Sequence, residues 1–168
     1  MPYKKGFTLV EILVVIGIIA VLATIVTVAV QPALKKARDA KRKIDLAQIG
    51  RFMAGGGSCY QPSAGPGTYD LADLFTEIMA KFPQAAAFIS QVPRDPRGGS
   101  NSQTFYIYTY SVNEAGQAGC ILSANLENAA EPVTISGINQ PTPGRGTGVL
   151  QAAAPGRNGS DKYFQVSN

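Results

Sequence analysis

The chain has 168 residues, of which 15% are charged and 45% hydrophobic, and it contains no histidine. Soluble domains carry roughly 25% charged residues, so the composition indicates one apolar segment attached to one small domain. The absence of histidine excludes most metal sites, the common catalytic triads and the usual general base at neutral pH.

The first predicted element is an apolar helix from Phe7 to Val30, in which 19 of 24 residues are apolar and Glu11 is the single charge. Such a helix is about 36 Å long, enough to cross a bilayer core of about 30 Å. It is longer than the core of a secretory signal, and no small-x-small cleavage site follows it. We therefore expect the segment to remain in the mature protein.

An amphipathic stretch continues this helix beyond Pro32. Apolar residues recur there at spacings of three and four, and a neighbouring stripe runs beside them. The first stripe comprises Ala33, Ala37, Ala40, Ile44 and Ala47, and the second comprises Leu46, Ile49 and Met53. The pattern predicts one helix of about 47 residues, which the glycines at 55–57 end.

Most of the net charge of +4 comes from KKARDAKRK at residues 35–43, which contains six basic residues and one acidic residue. From Ala54 to the end of the chain, eight acidic residues outnumber six basic ones. A basic stretch beside an apolar segment is more typical of a solvated or lipid-headgroup-facing collar than of a nucleic-acid site. We expect such a collar on the second half of the helix.

The remaining residues predict a small domain with an antiparallel sheet. A loop at 58–68 precedes an amphipathic helix at 69–82, and a further helical turn or two is expected at 83–91. Asp70, Asp73 and Glu77 have the spacing of one exposed helix face and not of a converging catalytic site. The predicted strands are 104–112 and 120–127, which form a hairpin, then 132–138 and 162–166, with a long irregular loop at 139–161. The predicted fold class is α+β, with the second half of the long helix packed on the sheet.

The N-terminal sequence KKGFTLVE at residues 4–11, followed by the apolar stretch, resembles the signal of type IV prepilins and type II secretion pseudopilins. The resemblance implies that a prepilin peptidase cleaves after Gly6 and methylates the new amino terminus at Phe7. It also implies a pilin-like fold divided into four segments. These are a leader at 1–6, a transmembrane or filament-core helix at 7–30, its amphipathic second half at 31–54 and an extracytoplasmic domain at 55–168.

Glu11 lies one helical turn after Phe7, where cleavage creates a positively charged amine. In a stack of parallel helices, the Glu11 carboxylate can reach the amine of a neighbour that is shifted along the axis. Pairing relieves part of the cost of about 2.5–3.5 kcal/mol for an acid in a bilayer, so Glu11 is interpreted as an assembly and register residue. The alternative is that Glu11 snorkels to the headgroups.

The two cysteines, Cys59 and Cys120, lie in the predicted extracytoplasmic domain, and we expect them to pair if that domain is exported. The segment PRDP at 93–96 is similar to a turn that precedes a Tyr-rich strand in many pilins. No cofactor is expected. Some pseudopilins bind calcium, so calcium binding stays an alternative. The acidic residues that could bind the ion lack the Asp-rich spacing of calcium ligands. They are Glu114, Glu127, Glu131 and Asp161.

The resemblance implies a structural subunit, not an enzyme, that polymerises into a type IV pilus-like filament. The alternatives are a pseudopilin of a secretion or DNA-uptake system, and a membrane-anchored binding or adhesive module that never polymerises. The implied partners are further copies of the chain, minor pilins, the prepilin peptidase, the inner-membrane assembly platform and the lipid bilayer. Nucleic acid is expected only as uptake cargo. The implied location is the inner membrane, with the C-terminal domain outside the cytoplasm, and then a periplasmic or extracellular filament.

Overall fold

The structure, a computed structural model, describes residues 6–53, 59–84 and 91–167. Within these ranges, two helices and five strands follow one another. They are α1 (Leu9–Met53), β1 (Gly67–Asp70), α2 (Leu71–Lys81), β2 (Ile107–Val112), β3 (Ala118–Asn125), β4 (Gly148–Gln151) and β5 (Lys162–Ser167). The strands form one antiparallel sheet in the order β1-β2-β3-β5-β4. The predicted α+β, pilin-like architecture is confirmed.

The contacts divide the chain into two compact units, residues 1–35 and residues 36–168, so the boundary falls inside α1. α1 itself is continuous through Pro32. The glycines predicted to end it and most of the helical turn predicted at 83–91 lie outside the described residues.

Of the two stripes predicted on α1, the second is confirmed as buried at Leu46 and Ile49, whereas the first is not. Ile44 is 65% exposed and Ala40 is also exposed, whereas Leu46 and Ile49 are buried in the core. The reason is that Asp39 and Arg42, which share the buried face, find charged partners inside the domain. These ion pairs fix the rotation of the helix and turn the alanine stripe outward.

Close packing joins α1 to β5 at Gly50. A Cβ atom placed on Gly50 would lie 2.5 Å from Cγ1 of Val166, which is closer than side-chain atoms approach one another. The helix backbone therefore rests directly on the sheet at this point, and glycine is the residue that permits it.

The core between α1, α2 and the sheet is rich in tyrosine. Tyr106, Tyr108 and Tyr110 alternate along β2 and its approach, and all three are buried. Their polar ends are accommodated, since the Tyr108 hydroxyl donates to the Tyr60 carbonyl at 2.6 Å and the Tyr106 hydroxyl donates to Asp45 at 2.8 Å. The hairpin predicted from the Tyr-rich segment is confirmed as β2 and β3.

Asp70 is the N-cap of α2 and not part of an exposed helix face. Its carboxylate accepts hydrogen bonds from the backbone of Ala72, from the backbone and hydroxyl of Thr104 and from the backbone of Phe105, at 2.7–2.9 Å. Burial acts to raise the pKa of Asp70, but these four donors prevail and the pKa is lowered. Asp70 thus joins the start of α2 to the approach to β2.

The C-terminal half of the sheet differs from the prediction in two places. Residues 132–138 form no strand, because their backbone N–H groups meet the sheet only at Val149, whose carbonyl accepts from Thr134 and Ile135. Conversely, the predicted loop at 139–161 contains β4, which pairs with β5 over four residues. The last predicted strand is confirmed as β5, but it lies between β3 and β4 and does not form the sheet edge.

Cys59 and Cys120 form a disulfide, with their Cα atoms 5.6 Å apart. The bond joins the chain after α1 to the third residue of β3, across 61 positions of sequence. A covalent loop of this size removes much conformational entropy from the unfolded chain.

We expect the variant Cys59→Ala/Cys120→Ala to lose about 4 kcal/mol of unfolding free energy, the value that chain entropy gives for such a loop. Urea titration of the full-length protein in detergent, followed by tyrosine fluorescence, measures the change. Reduction of the wild type with dithiothreitol should lower its midpoint by a similar amount. Equal urea midpoints for the oxidised wild type and the variant would contradict the stabilising role.

Candidate functional site

The first unit presents a continuous apolar surface. Every large apolar side chain from Phe7 to Leu34 is between 42% and 83% exposed. α1 is the one helix in the described ranges that is long and apolar enough to cross a membrane, and none of its most apolar window is buried. Burying such side chains yields about 25 cal/mol per Å², so this surface requires either lipid or protein around it.

The hydroxyl groups within this surface are satisfied by the helix itself. Thr24 donates to the carbonyl of Val21 at 2.7 Å, and Thr27 donates to the carbonyl of Thr24 at 2.8 Å. An unpaired hydroxyl would be costly in a hydrocarbon environment. Both threonines are therefore compatible with an apolar surrounding.

The predicted cleavage bond lies just before α1. Gly6 and Phe7 are exposed and precede the first helical residue, Leu9. A Cβ atom on Gly6 would meet no other atom within 4 Å. The fold of this chain therefore does not require glycine at position 6.

Thr8 and Glu11 form a capping box at the start of α1. The Glu11 carboxylate accepts from the Thr8 backbone and from the Thr8 hydroxyl, both at 2.8 Å, and the Glu11 backbone N–H donates to the Thr8 hydroxyl oxygen at 3.3 Å. This reciprocal pattern satisfies backbone donors that a helix start leaves unpaired. The T-x-x-E spacing is visible in the sequence, so this second role of Glu11 was open to prediction.

A charged cluster in the second unit surrounds Arg42, which is 0% exposed. Its guanidinium donates to both carboxylate oxygens of Asp95, at 2.7 and 2.8 Å, and to Asp39 at 2.6 Å. Glu127 lies 2.8 Å from the same group and also receives two hydrogen bonds from Arg38, each 2.7 Å long. One buried arginine thus faces three carboxylates.

The carboxylates of this cluster also hold backbone. Asp39 accepts from the N–H groups of Glu127 and Asn128, each at 2.9 Å, which attaches α1 to the end of β3. Asp95 accepts from the Arg97 backbone at 2.8 Å and from the Asn158 side chain at 3.0 Å. Two long loops are therefore fixed to the same guanidinium.

Electrostatics keeps the cluster ionised. Burial acts to lower the pKa of Arg42, but hydrogen bonds to its carboxylates outweigh it and the pKa is raised. Burial likewise acts to raise the pKa of Asp95, and the Arg42 hydrogen bond reverses this, so that pKa is lowered. For Glu127 the largest effect is the hydrogen bond from Arg38, which lowers its pKa.

The prediction of a solvated or lipid-facing basic collar at residues 35–43 is therefore wrong for the central residues of that stretch. Arg42 is fully buried, Arg38 is held by Glu127, and Lys43 pairs with Glu131. Two of the four acids named for the calcium alternative, Glu127 and Glu131, are thus paired with basic side chains. Within the described residues, no group of three or more His, Cys, Asp or Glu is placed to hold a metal ion.

Comparison with known proteins identifies the N-terminal signal. Residues 1–27 match the family model described as a prokaryotic N-terminal methylation motif. The chain therefore carries the prepilin-type signal of type IV pilins and pseudopilins, and the resemblance seen in the sequence is confirmed. No curated protein and no solved structure matches the chain at a significant level.

The signal and the apolar helix are consistent with each other. Both fit a substrate of prepilin peptidase that is anchored in a membrane by its N-terminal helix and carries a C-terminal domain. A signal of this kind indicates a structural subunit rather than an enzyme.

The Arg42 cluster makes a prediction about acid stability. Asp95→Asn removes one of the three carboxylates around the buried Arg42 and leaves two in place. We therefore expect the unfolding free energy at pH 7 to fall by about 1.5–3 kcal/mol, the value of hydrogen bonds to a charged group. Asp95 and Glu127 have lowered pKa values in the folded state. The wild type should therefore be most stable above the ordinary carboxyl pKa of about 4 and lose stability as the pH falls below it, because the unfolded chain then binds protons first.

Urea titrations at several pH values measure both effects, and Asp95→Asn should show the shallower loss in acid. Glu114→Gln is the matched control, since Glu114 is exposed in a turn and forms no ion pair among the described residues. If Asp95→Asn has the same urea midpoint as the wild type at both pH 7 and pH 3, the cluster does not stabilise the domain.

Proposed function

We propose that this chain is a structural subunit that polymerises through its N-terminal helix into a type IV pilus-like filament. The observation that carries the proposal is the apolar surface from Phe7 to Leu34, uncovered within the chain and directly preceded by a prepilin-type signal. A bilayer covers this surface before assembly, and the same surface of neighbouring copies covers it afterwards. Both states bury the same side chains, so transfer from membrane to filament costs little hydrophobic free energy.

The proposed route begins in the inner membrane, with the C-terminal domain outside the cytoplasm. Prepilin peptidase removes residues 1–6 and methylates Phe7, and an assembly platform then adds the subunit to copies of itself and to minor pilins. A pseudopilin of a secretion or DNA-uptake system would follow the same route and end as a short periplasmic fibre. Electron microscopy of cells distinguishes the two by the place and length of the fibres.

Glu11 is proposed to exchange partners during this process. In the intact chain its carboxylate is engaged with Thr8. After cleavage, the amine of Phe7 becomes available, and staggered packing of parallel helices brings the amine of one copy to Glu11 of another. At an effective dielectric constant near 20, such a pair interacts with about 4 kcal/mol at 4 Å before desolvation is subtracted. Only the correct stagger neutralises both charges.

Processing gives the first test of the proposal. Removal of the six-residue leader from 168 residues leaves 162, beginning at Phe7 and carrying one N-methyl group. Intact-mass measurement of the membrane-extracted protein checks this. Gly6→Leu should leave the unprocessed precursor, and because position 6 is open in the fold, a loss of the folded domain should not accompany it. A mature protein that retains Met1–Gly6, or that lacks the apolar segment, would rule the processing step out.

Glu11 gives the second test, in which charge and capping are separated. Glu11→Gln keeps a side chain that can complete a capping box but removes the charge, so we expect filaments to fall sharply while processed protein in the membrane fraction stays constant. Thr8→Val is the matched control, since it removes the capping hydroxyl and keeps the charge, and it should assemble. Glu11→Asp should be intermediate because its arm is shorter.

Sheared-filament yield relative to membrane-fraction abundance is the measurement. If Glu11→Gln assembles normally, the charge of Glu11 does not set the register between copies. Equal loss in Glu11→Gln and Thr8→Val would assign the effect to the start of the helix and not to pairing between copies.

A further inference from the structure

Three arginines of the second unit carry charges that no acidic side chain of the described residues pairs. Arg94, Arg97 and Arg157 are all exposed, and their partners are neutral. Arg94 donates to the side chain of Asn101 at 3.1 Å, and Arg97 donates to the carbonyl of Asn158 at 3.1 Å. These residues define the arginine patch.

The third arginine stacks on an aromatic ring. The guanidinium of Arg157 lies 3.4 Å from the ring centre of Phe105. Phe105 has a φ of 62°, a conformation that non-glycine residues rarely adopt. Its N–H donates to Asp70 at 2.8 Å, which holds the ring in place beneath the arginine. The platform under Arg157 is therefore fixed by the fold.

The two loops that bear the patch are also fixed. Asp95, a carboxylate beside these loops, is 2% exposed and accepts hydrogen bonds from Arg42, the Arg97 N–H and Asn158. Asp70, which accepts from Phe105, is likewise engaged by Ala72 and Thr104. A Cβ atom on Gly98 would lie 3.4 Å from the Arg157 guanidinium, which places the two loops side by side. The patch is thus a pre-ordered surface with three positive charges.

The other end of the sheet carries an acid without a partner. The turn between β2 and β3, residues 113–117, is exposed throughout and bears Glu114. Four hydrogen bonds of 2.8–3.0 Å order this turn: Gly116 N–H to the Asn113 carbonyl, and three between Asn113 and Gln117. Glu114 is therefore presented on a rigid tip.

β2 leads from the patch to the tip. Its five steps from Ile107 to Val112 extend about 17 Å at 3.3 Å per residue. Opposite charges thus occupy opposite ends of the same strand, too far apart to pair within one copy. Both are held on ordered backbone, so little conformational entropy is lost when they meet a partner.

We infer that the domain makes a head-to-tail contact between copies, in which the arginine patch of one copy binds the Glu114 turn of the next. The inference rests on the proposed polymerisation. Open polymers of identical subunits need two different complementary surfaces on each subunit, and the two ends of this sheet supply them. Arginine suits the contact because its planar fork binds a carboxylate in a bidentate manner and has further N–H donors for turn carbonyls.

Charge reversal at both ends tests the contact. Arg94→Glu/Arg157→Glu turns a patch of three positive charges into one with a net charge of −1, which repels Glu114, so filament yield should fall about tenfold or more. Adding Glu114→Arg restores opposite signs and should recover most of the yield. Arg145→Glu is the control: it reverses an exposed arginine in the loop whose Pro143 packs on Gly119, at the Glu114 end of the sheet, so that end stays negative and the variant should assemble at least as well as the wild type.

The readout is sheared-filament yield divided by the membrane-fraction level of processed, disulfide-bonded protein, which normalises for folding. Since the patch variant removes the Phe105 stack, Glu114→Arg alone provides a second arm and should also lower the yield. If either reversal gives the wild-type filament yield, or if the triple variant does not recover it, the inferred contact is wrong. The proposed polymerisation through the N-terminal helix would still stand. If the wild type binds double-stranded DNA, and the patch variant loses that binding but assembles normally, the patch is a nucleic-acid site instead. Absence of any wild-type filament would refute the proposed function itself.

Discussion

The buried guanidinium of Arg42 is the interaction on which the arrangement of the second unit depends. It is the point where α1, the loop before β2, the end of β3 and the loop before β5 meet. Moving a charge from water into the interior is costly, and the three carboxylates around Arg42 together offset that cost. The cluster therefore specifies one position of α1 on the sheet. Apolar contacts of Leu46 and Ile49 alone would tolerate a shift of the helix, because they are not directional.

The features that the sequence predicted well are those encoded by neighbouring residues. The apolar run, the alternation along the Tyr-rich strand and the N-terminal signal all lie within short windows, so the fold class and the hairpin were accessible. The register of β2 on β3 follows from the same alternation, because it places the tyrosines inside. The T-x-x-E capping box is equally local, and its spacing alone indicates it.

The features that the sequence did not predict depend on partners far along the chain. Arg42 and Asp95 are 53 residues apart, and Arg38 and Glu127 are 89 apart, so a basic run on the helix gave no indication of burial. Residues 132–138 have strand propensity but find only Val149 to bond, whereas the four residues of β4 are few and flanked by glycine and proline. Strand formation there is decided by available partners rather than by composition.

The disulfide also determines where a mechanical load enters the domain. Tension applied along α1 loads the Arg42 cluster first. Beyond that cluster it reaches Cys59 and would, in a linear chain, next pull on β1, an edge strand that pairs with β2 alone. The link to Cys120 diverts that tension to β3, which is bonded to β2 on one side and β5 on the other. A force that would peel an edge strand one hydrogen bond at a time must instead shear a central strand from two neighbours at once. The placement of the crosslink thus makes the domain resistant to being pulled by its own helix.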